Sequence, residues 1–486
     1  MEISTLYPLF TFLVLSWFMR SLEKFWLRPK RLERALISQG LTGTPYRLPF
    51  GDAKKFLELR EAALVKPIPL SHDIVPRVGP FFQHVKTQHG KIAFTWFRQE
   101  PAVILNDPES VKYVLTKQQN IFLKPKADDA AKLLLTGLVA HQGEKWTKHR
   151  SKWDKQIETK ESYELDVLPD IKAFAGDVIS RTAFGSNFEE GRRIFELQQE
   201  LGVLVVNASL NSYIPFYSYL PTKENMRMHK IIREVDAILK NMIEQREKAI
   251  RKDEDTSTTD LLGILLETNI QDSQLEGIQN AMTTEDVIDE CKIFYVAGHD
   301  TATSALTWTL ILLSMHPDWQ ERAREEVLKL FGESKPDYEG LNRLKIVTMI
   351  INEAMRLYPP VVFIERRTAA EVKLGGITYP PGVQFLIPIL SLHHDPESWG
   401  PDANEFNPER FSEGILKASV PGAFLPFSGG PRVCIGQNFA MLEVKLFLAR
   451  ILQCFRFELS PAYAHAPYDM VTIQPQLGAQ IILRRR

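Results

Sequence analysis

The chain has 486 residues, of which 44% are hydrophobic and 24% are charged, and its formal net charge at pH 7 is −1. This length is ample for a large core, and the near-neutral charge argues against nucleic acid as a partner. The three cysteines, Cys291, Cys434 and Cys454, form neither a C-x-x-C pair nor a disulfide framework, which indicates a reducing compartment.

An apolar stretch opens the chain. Residues 3–19 carry no charge, and they lie at the lower limit of the roughly 17–25 residues that a membrane-spanning helix needs. No small-residue cleavage site follows, so the sequence favours a retained transmembrane anchor at 1–19 over a cleaved signal peptide. A basic linker occupies 20–50, and the positive-inside rule then predicts that residues 51–486 lie in the cytosol.

The next patterns predict a strand pair and then a long helical region. Residues 91–97 and 101–105 are typical of two strands joined by a turn. Asn106 or Asp107 then caps a helix that has Pro108 in its first turn. Helices are predicted to dominate up to about residue 358 and short strands to return after it, which gives a mainly α fold with small β-sheets.

The longest helical pattern covers 284–315, with Thr283 as its cap and Pro317 after its end. Such a helix would be roughly 48 Å long at about 1.5 Å per residue. Glycine in the middle of a helix costs about 1 kcal/mol relative to alanine, so Gly298 predicts a local structural or functional requirement.

Around this glycine the chain reads Ala297-Gly-His-Asp-Thr301. Ala297 and Thr301 are four residues apart and share a helix face. An acid followed by a hydroxyl, Asp300 and Thr301, can relay protons to a bound ligand. The alternative is that the Thr301 hydroxyl only bonds back to a backbone carbonyl.

Cys434 is the most informative residue. It lies in the loop Phe427-Ser-Gly-Gly-Pro-Arg432-Val-Cys434-Ile-Gly436, immediately before a predicted helix at 437–452. The positive end of a helix favours a thiolate, glycines let backbone amides approach the sulfur, and Arg432 offers a cation to an anionic ligand. A single axial thiolate is typical of haem–thiolate oxygen chemistry. The alternative is a buried, inert cysteine beside a glycine turn.

Two further pairs lie at helical spacing. Glu353 and Arg356 are three residues apart, and an isolated pair of this kind is usually a surface contact worth about a few tenths of a kcal/mol. Trp146 and Arg150 are four apart on one face. Four histidines make no set with metal-ligand spacing and are expected to be packing or surface residues: His149, His299, His393 and His394.

The loop at 427–436 fills every fixed position of F-x-x-G-x-R-x-C-x-G, so the chain resembles the cytochrome P-450 superfamily. The W-x-x-x-R, A-G-x-D/E-T and E-x-x-R motifs agree with it. The resemblance covers nearly the whole chain and is closest to plant P-450 family seventy-two, subfamily A, which includes secologanin synthase. The segments that carry this closer resemblance are 26–31, 70–76, 177–185, 286–292, 435–443 and 457–463.

The resemblance implies a P-450 fold and a haem-thiolate catalytic domain over 51–486. It implies haem b with iron ligated by Cys434, and electrons from NADPH delivered by NADPH–cytochrome P-450 reductase. It also implies a monooxygenase of the endoplasmic-reticulum membrane that oxidises a small lipophilic terpenoid.

The resemblance also assigns roles to individual residues. Asp300 and Thr301 would be catalytic, delivering protons to bound oxygen. The residues expected to bind the haem are Cys434, Arg432, Trp146, Arg150, Arg366, Phe427 and Gly436. A structural cluster would consist of Glu353, Arg356 and Arg410. The distal pocket is expected to be lined by Phe294, Ala297, Val361, Val362 and Phe363, with further contacts from 127–135.

The chain departs from the subfamily pattern in two places. Relatives commonly have Gln-Glu-Thr where this chain has His299-Asp300-Thr301. In addition, Arg150 runs directly into Ser151, so roughly thirty residues, the length of one helix–turn–helix unit, are missing by family comparison. The chain is therefore predicted to fold or couple poorly unless it repacks.

Two rival functions stay open. One is a peroxide-rearranging enzyme such as an allene oxide synthase, against which Thr301 and the intact cysteine loop argue. The other is a catalytically defective haem-binding protein or a misfolded product of a skipped exon or faulty gene model, for which the break after Arg150 is the reason.

Overall fold

The computed structural model describes residues 3–116, 121–123, 163–185, 188–211, 220–251, 260–275 and 282–486. Helices make up most of this part of the chain, which confirms the prediction of a mainly α fold with small sheets. The helices are α1 (Ile3–Leu22), α2 (Arg28–Ile37), α3 (Ala53–Leu64), α4 (Val75–Val78), α5 (Pro80–His89), α6 (Pro108–Thr116), α7 (Leu168–Phe184), α8 (Phe188–Asn211), α9 (Lys223–Arg251), α10 (Leu261–Leu275), α11 (Thr284–Met315), α12 (Pro317–Phe331), α13 (Tyr338–Arg343), α14 (Ile346–Leu357), α15 (Ile389–His393), α16 (Pro396–Trp399), α17 (Ile415–Ala418) and α18 (Gln437–Cys454).

The described strands form four small sheets. Five strands pair in the order β1-β2-β8-β5-β3, where β2 and β8 are parallel and the other neighbours antiparallel. Three strands pair in the order β4-β12-β9, and β6–β7 and β10–β11 are hairpins. The strands are β1 (Ile92–Phe97), β2 (Glu100–Leu105), β3 (Phe122–Leu123), β4 (Tyr163–Asp166), β5 (Ile364–Thr368), β6 (Val372–Leu374), β7 (Ile377–Tyr379), β8 (Gln384–Ile387), β9 (Phe455–Leu459), β10 (Pro467–Asp469), β11 (Ile473–Pro475) and β12 (Gln480–Arg485).

Local sequence signals located several elements correctly. The strand pair β1–β2 lies where alternation predicts it, and the Asp107 carboxylate accepts a hydrogen bond from the Ser110 amide at 2.8 Å to cap α6. Helix α11 covers the predicted 284–315, and Thr283 and Asp286 form a reciprocal capping box at its start.

At the N-terminus, the stretch predicted as an anchor lies in α1, where most side chains from Phe12 to Met19 are exposed. No helix within the described residues is both long enough and apolar enough to cross a bilayer. From the stretch 20–50, Leu36 and Tyr46 are buried in the core that also contains β1 and β2.

Helix α11 connects two hydrophobic cores. Its C-terminal half, from Ala305 onward, packs with α14 and α18 in one core. Its N-terminal half, through Tyr295, packs with α7, α8 and α9 in the other. The segment Ala297–Thr301 therefore lies at the junction between the cores, where polar side chains replace apolar packing.

The glycine of that segment is required by close helix packing. A Cβ atom on Gly298 would lie 2.6 Å from Cδ1 of Ile179 in α7, well inside van der Waals contact. The mid-helix glycine predicted to have a specific reason thus lets α7 approach α11.

A buried ion pair organises the segment before the cysteine loop. Arg356 Nε donates to Glu353 Oε2 at 2.7 Å and Nη2 donates to Oε1 at 2.8 Å, and both side chains are 0% exposed. The remaining Arg356 N–H groups donate to the carbonyls of His393, Ala403 and Glu405 at 2.9, 2.6 and 3.0 Å. The pair is therefore not the surface contact expected of an isolated Glu–Arg spacing.

The third arginine of the predicted cluster joins the same carboxylate. Arg410 Nε lies 3.4 Å from Glu353 Oε1, and the Asn407 amide donates to that oxygen at 2.9 Å. Arg410 also donates to the Trp399 and Asp402 carbonyls, at 3.0 and 2.6 Å. The structure thus brings Glu353, Arg356 and Arg410 together.

His393 links this cluster to the cysteine loop. Its Nδ1–H donates to the Arg356 carbonyl at 3.1 Å, and its Nε2 accepts from the Leu425 amide at 2.8 Å. The neighbouring His394 bonds to the Leu357 carbonyl at 2.9 Å and to Asn404 Oδ1 at 2.8 Å. Both histidines are packing residues, as expected, but His393 also fixes the start of the loop.

A second buried histidine network joins distant parts of the chain. His72 Nδ1 lies 3.0 Å from the Tyr358 hydroxyl, and His72 Nε2 lies 3.3 Å from His316 Nε2. His465 Nε2 lies 3.3 Å from the same Tyr358 hydroxyl. Burial lowers the pKa of His72 to about 3 and that of His465 to about 4, and it also lowers the pKa of His316.

We expect this network to destabilise the protein in acid. Below the usual histidine pKa of about 6.5, the unfolded chain takes up protons that the buried rings do not, so the free energy of unfolding falls. His72 and His465 would each cost on the order of 2 kcal/mol at about pH 5. Thermal unfolding between about pH 7.5 and about pH 5 measures this.

Burial raises the pKa of the Glu443 carboxyl to about 8, so this group changes the stability with pH in the direction opposite to the histidines. Comparison of His72→Gln with the wild type cancels that contribution and isolates the effect of His72. The His72→Gln variant should lose less stability in acid than the wild type does. The control His84→Gln, outside the network, should lose as much stability as the wild type. An equal acid loss in His72→Gln and the wild type would contradict the assignment.

The ion pair yields a second prediction. Glu353→Gln leaves the Arg356 charge buried without its partner, which typically costs about 3–5 kcal/mol. Urea unfolding of the soluble fraction measures the loss. Glu413→Gln is the matched control, because it breaks an exposed pair with Lys417 and should change stability by less than about 1 kcal/mol. Equal stabilities of Glu353→Gln and Glu413→Gln would show that the buried pair is dispensable.

Candidate active site

The cysteine loop folds back on itself before α18. The Cys434 amide donates to the Phe427 carbonyl at 2.9 Å, and the Gln437 amide donates to the Cys434 carbonyl at 3.3 Å. Gly430 has φ +67°, and a Cβ there would collide with the Leu115 carbonyl of α6. Glycine is therefore needed for the loop to pack against α6.

Cys434 is exposed, whereas Cys291 is buried with its pKa raised to about 12. The exposure of Cys434 argues against the buried position that the alternative interpretation expects. Although the side chain is exposed, enough of the protein surrounds the sulfur for desolvation to raise its pKa, while the Gly436 amide lowers it. A coordinated metal ion would favour the thiolate, because it deprotonates a ligating thiol.

The guanidinium group of Arg432, within the loop, lies close to that of Arg366 in β5. Arg366 of β5 is 5% exposed, and its Nη1 donates to the Glu365 carbonyl at 2.8 Å. Burial lowers the pKa of Arg366, and the nearby charge of Arg432 lowers it further. Among the described residues, no carboxylate forms a salt bridge with either arginine. A pair of cations without a protein counter-ion fits the two propionates of a haem.

Several predicted contacts cannot be placed. Trp146, Arg150 and the stretch 127–135 lie outside the described residues. His149 lies there as well. Within the described residues no group of three or more His, Cys, Asp or Glu side chains could hold a metal ion.

The two residues predicted to relay protons, Asp300 and Thr301, lie on adjacent positions of α11. The Thr301 hydroxyl donates to the Ala297 carbonyl at 2.6 Å, which is the back-bonding that the sequence left open. Asp300 Oδ1 lies 2.8 Å from His299 Nδ1. Both Asp300 and Thr301 are half-buried at the junction between the two cores.

The structure places the five predicted pocket residues in different surroundings. Val362 and Phe363 line a small cavity of about 30 Å³, and Val361 is 38% exposed. Phe294 is buried in the core of α7 to α9, and Ala297 is half-buried on α11.

A larger cavity of about 490 Å³ lies between α7, α8, α11 and the β10–β11 hairpin. Its volume falls in the range of small-molecule sites, about 300–1,000 Å³. Asp300 and His299 line it, whereas the five predicted residues do not. Sequence patterns did not predict the residues that line this cavity, because these residues come from four separate elements of the chain.

Comparison with known proteins identifies the family. The family model described as Cytochrome P450 matches residues 151–482. Cytochrome P450 CYP72A616 of Paris polyphylla is 49% identical, with 97% of this chain and 96% of the relative covered. Echinocystic acid 23-monooxygenase of Saponaria officinalis is 44% identical, with 97% of each covered.

A solved structure agrees with the fold. Retinoic acid bound cyanobacterial CYP120A1 superposes with a TM-score of 0.73, covering 92% of this chain and 99% of that chain at 23% identity. The likeness confirms the P-450 fold that the cysteine loop implies.

The alignments can be compared with the predicted break after Arg150. The alignment with the Paris polyphylla relative spans 501 positions but uses 97% of 486 residues, about 471, so about 30 of its positions have no residue of this chain. The family match begins at Ser151, the residue that follows the break.

The match to the family model, together with several subfamily 72A relatives aligned over nearly the whole chain, shows what this protein is. The family implies a haem held by a thiolate, and Cys434 is the exposed cysteine in the matching loop. The chain belongs to the cytochrome P450 monooxygenases, within the plant subfamily 72A.

Proposed function

We propose that the protein is an NADPH- and O2-dependent monooxygenase that oxidises a lipophilic terpenoid, and that Cys434 would ligate its haem iron. The observation that carries the proposal is the exposed Cys434 side chain in a loop that contains Arg432 and lies near Arg366, two arginines that have no salt-bridge partner among the described residues. A haem would satisfy all three groups, because its iron would bind the Cys434 sulfur and its two propionates would pair with the two arginines.

The residues around the haem would have distinct tasks. Cys434 would ligate the iron, with the Gly436 amide tuning the sulfur and Phe427 holding the loop. Arg366 and Arg432, with Trp146 and Arg150, would bind the propionates. When bound, the haem supplies the oxygen-activating chemistry.

Asp300 and Thr301 of α11 would hold and transfer protons, because a carboxyl group and a hydroxyl group can each accept and donate one. Phe294, Ala297, Val361, Val362 and Phe363 would form apolar contacts with the substrate. The relative that acts on echinocystic acid supports a triterpenoid substrate.

Electrons would come from NADPH through NADPH–cytochrome P-450 reductase. Residues 1–19 would anchor the protein in the endoplasmic-reticulum membrane, followed by the linker at 20–50, with the catalytic domain at 51–486 on the cytosolic side. The uncharged run at 3–19 and the basic residues after it support this arrangement.

A second candidate is a catalytically defective or misfolded product. It is favoured by the start of the family match at Ser151, the residue after the predicted break, and by the roughly 30 alignment positions that lack a residue of this chain. Loss of a packed helix pair would remove buried apolar surface, and each defect the size of a leucine-to-alanine change costs about 2–5 kcal/mol.

Turnover in microsomes tests the proposal. We expect the chain, co-expressed with a plant reductase, to oxidise at least one triterpenoid acid when NADPH is supplied. Cys434→Ala should abolish product, because the haem would lose its thiolate ligand. Product is measured by mass spectrometry after each incubation.

The control is a chain with the subfamily segment restored after Arg150. Product from the restored chain but not from the native one would favour the defective candidate. Equal haem content and turnover in both chains would refute the prediction that the break impairs folding or coupling. Product without NADPH or reductase would contradict the proposed electron supply.

A further inference from the structure

His299 is held by contacts with three helices. It lies on α11 and is 7% exposed. Its Nε2 lies 3.0 Å from the Lys172 carbonyl oxygen of α7, and its ring lies 4.8 Å from that of Phe195 in α8, measured between centroids. These contacts fix the orientation of the imidazole ring.

Both ring nitrogens of His299 face oxygen atoms. A carbonyl oxygen can only accept, so Nε2 carries a hydrogen and donates it to Lys172. The other nitrogen, Nδ1, lies 2.8 Å from Asp300 Oδ1. A hydrogen bond between these two atoms requires one proton, either on the imidazole or on the carboxyl group. His299 and Asp300 therefore share a proton site.

The shared site borders the cavity of about 490 Å³. Among the described residues, His299 is the hydrogen-bond partner of the Asp300 carboxylate. Burial lowers the pKa of Lys172, which lines the same cavity, whereas the nearby Asp300 carboxylate raises it. The charged and titratable groups that line this cavity are Lys172, Glu196, Glu200, His299, Asp300 and Tyr468.

We propose that His299 is a positioning residue that holds the Asp300 carboxyl group toward this cavity through the hydrogen bond between Nδ1 and Oδ1. The inference rests on the proposed monooxygenase function and deepens it, because it assigns a specific partner to the acid of the proposed proton relay.

A double-mutant cycle tests the proposal with His299→Gln, Asp300→Asn and the combined variant. Glutamine can still donate an N–H to the Lys172 carbonyl, but it cannot share a proton with a carboxylate. Phe195→Leu is the matched control, because it removes the ring contact and leaves both hydrogen bonds.

The first measurement is thermal unfolding of the full-length chain at about pH 6 and about pH 8, on either side of the usual histidine range. We expect the combined variant to unfold at a temperature no lower than that of the less stable single variant. The deviation of the unfolding temperatures from additivity should differ between the two pH values. This measurement does not depend on turnover. Additive shifts at both pH values would overturn the proposal even if the protein proves inactive.

The second measurement is product formed per NADPH consumed across the same pH range. His299→Gln should keep the wild-type haem content but lose about tenfold in coupling, as is typical when an orienting partner is removed, with an altered pH profile. Phe195→Leu should keep the wild-type profile. A wild-type pH profile in His299→Gln would mean that the histidine serves packing alone. If the wild type shows no turnover but the unfolding cycle is non-additive, only the proposed function is refuted.

Discussion

The rest of the site depends on the buried pair of Glu353 and Arg356. Their charges are completely removed from solvent, so each group needs all of its hydrogen-bonding partners within the protein. The Arg356 guanidinium obtains them from backbone carbonyls at His393, Ala403 and Glu405. That requirement fixes the path of a segment with little regular structure, which continues through Leu425 to Cys434.

The packing of α11 imposes a second constraint on the site. Helix α11 belongs to two hydrophobic cores, and its polar segment at Ala297–Thr301 lies where they meet. Gly298 lets α7 approach closely, and that approach places the Lys172 carbonyl beside His299. Close helix packing therefore determines the environment of the acid that the proposed reaction needs.

The sequence predicts those features that depend on near neighbours. The capping box at Thr283, the strand pair β1–β2 and the helix after Cys434 are local, and the structure has them in place. The roles of His393 and His299 were not predictable, because their partners lie at Leu425 and Lys172, far away in the chain. The burial of the Glu353 pair and the lining of the large cavity also arise only from tertiary packing.

The proposed function requires that this chain hold a haem through the Cys434 thiolate despite the predicted break after Arg150. The carbon monoxide difference spectrum of the reduced protein in microsomes is the decisive measurement. We expect the red-shifted Soret band that a thiolate-ligated haem gives, and its loss in Cys434→Ala. A blue-shifted band, or no band at all from a well-expressed chain, would rule out haem binding through this thiolate.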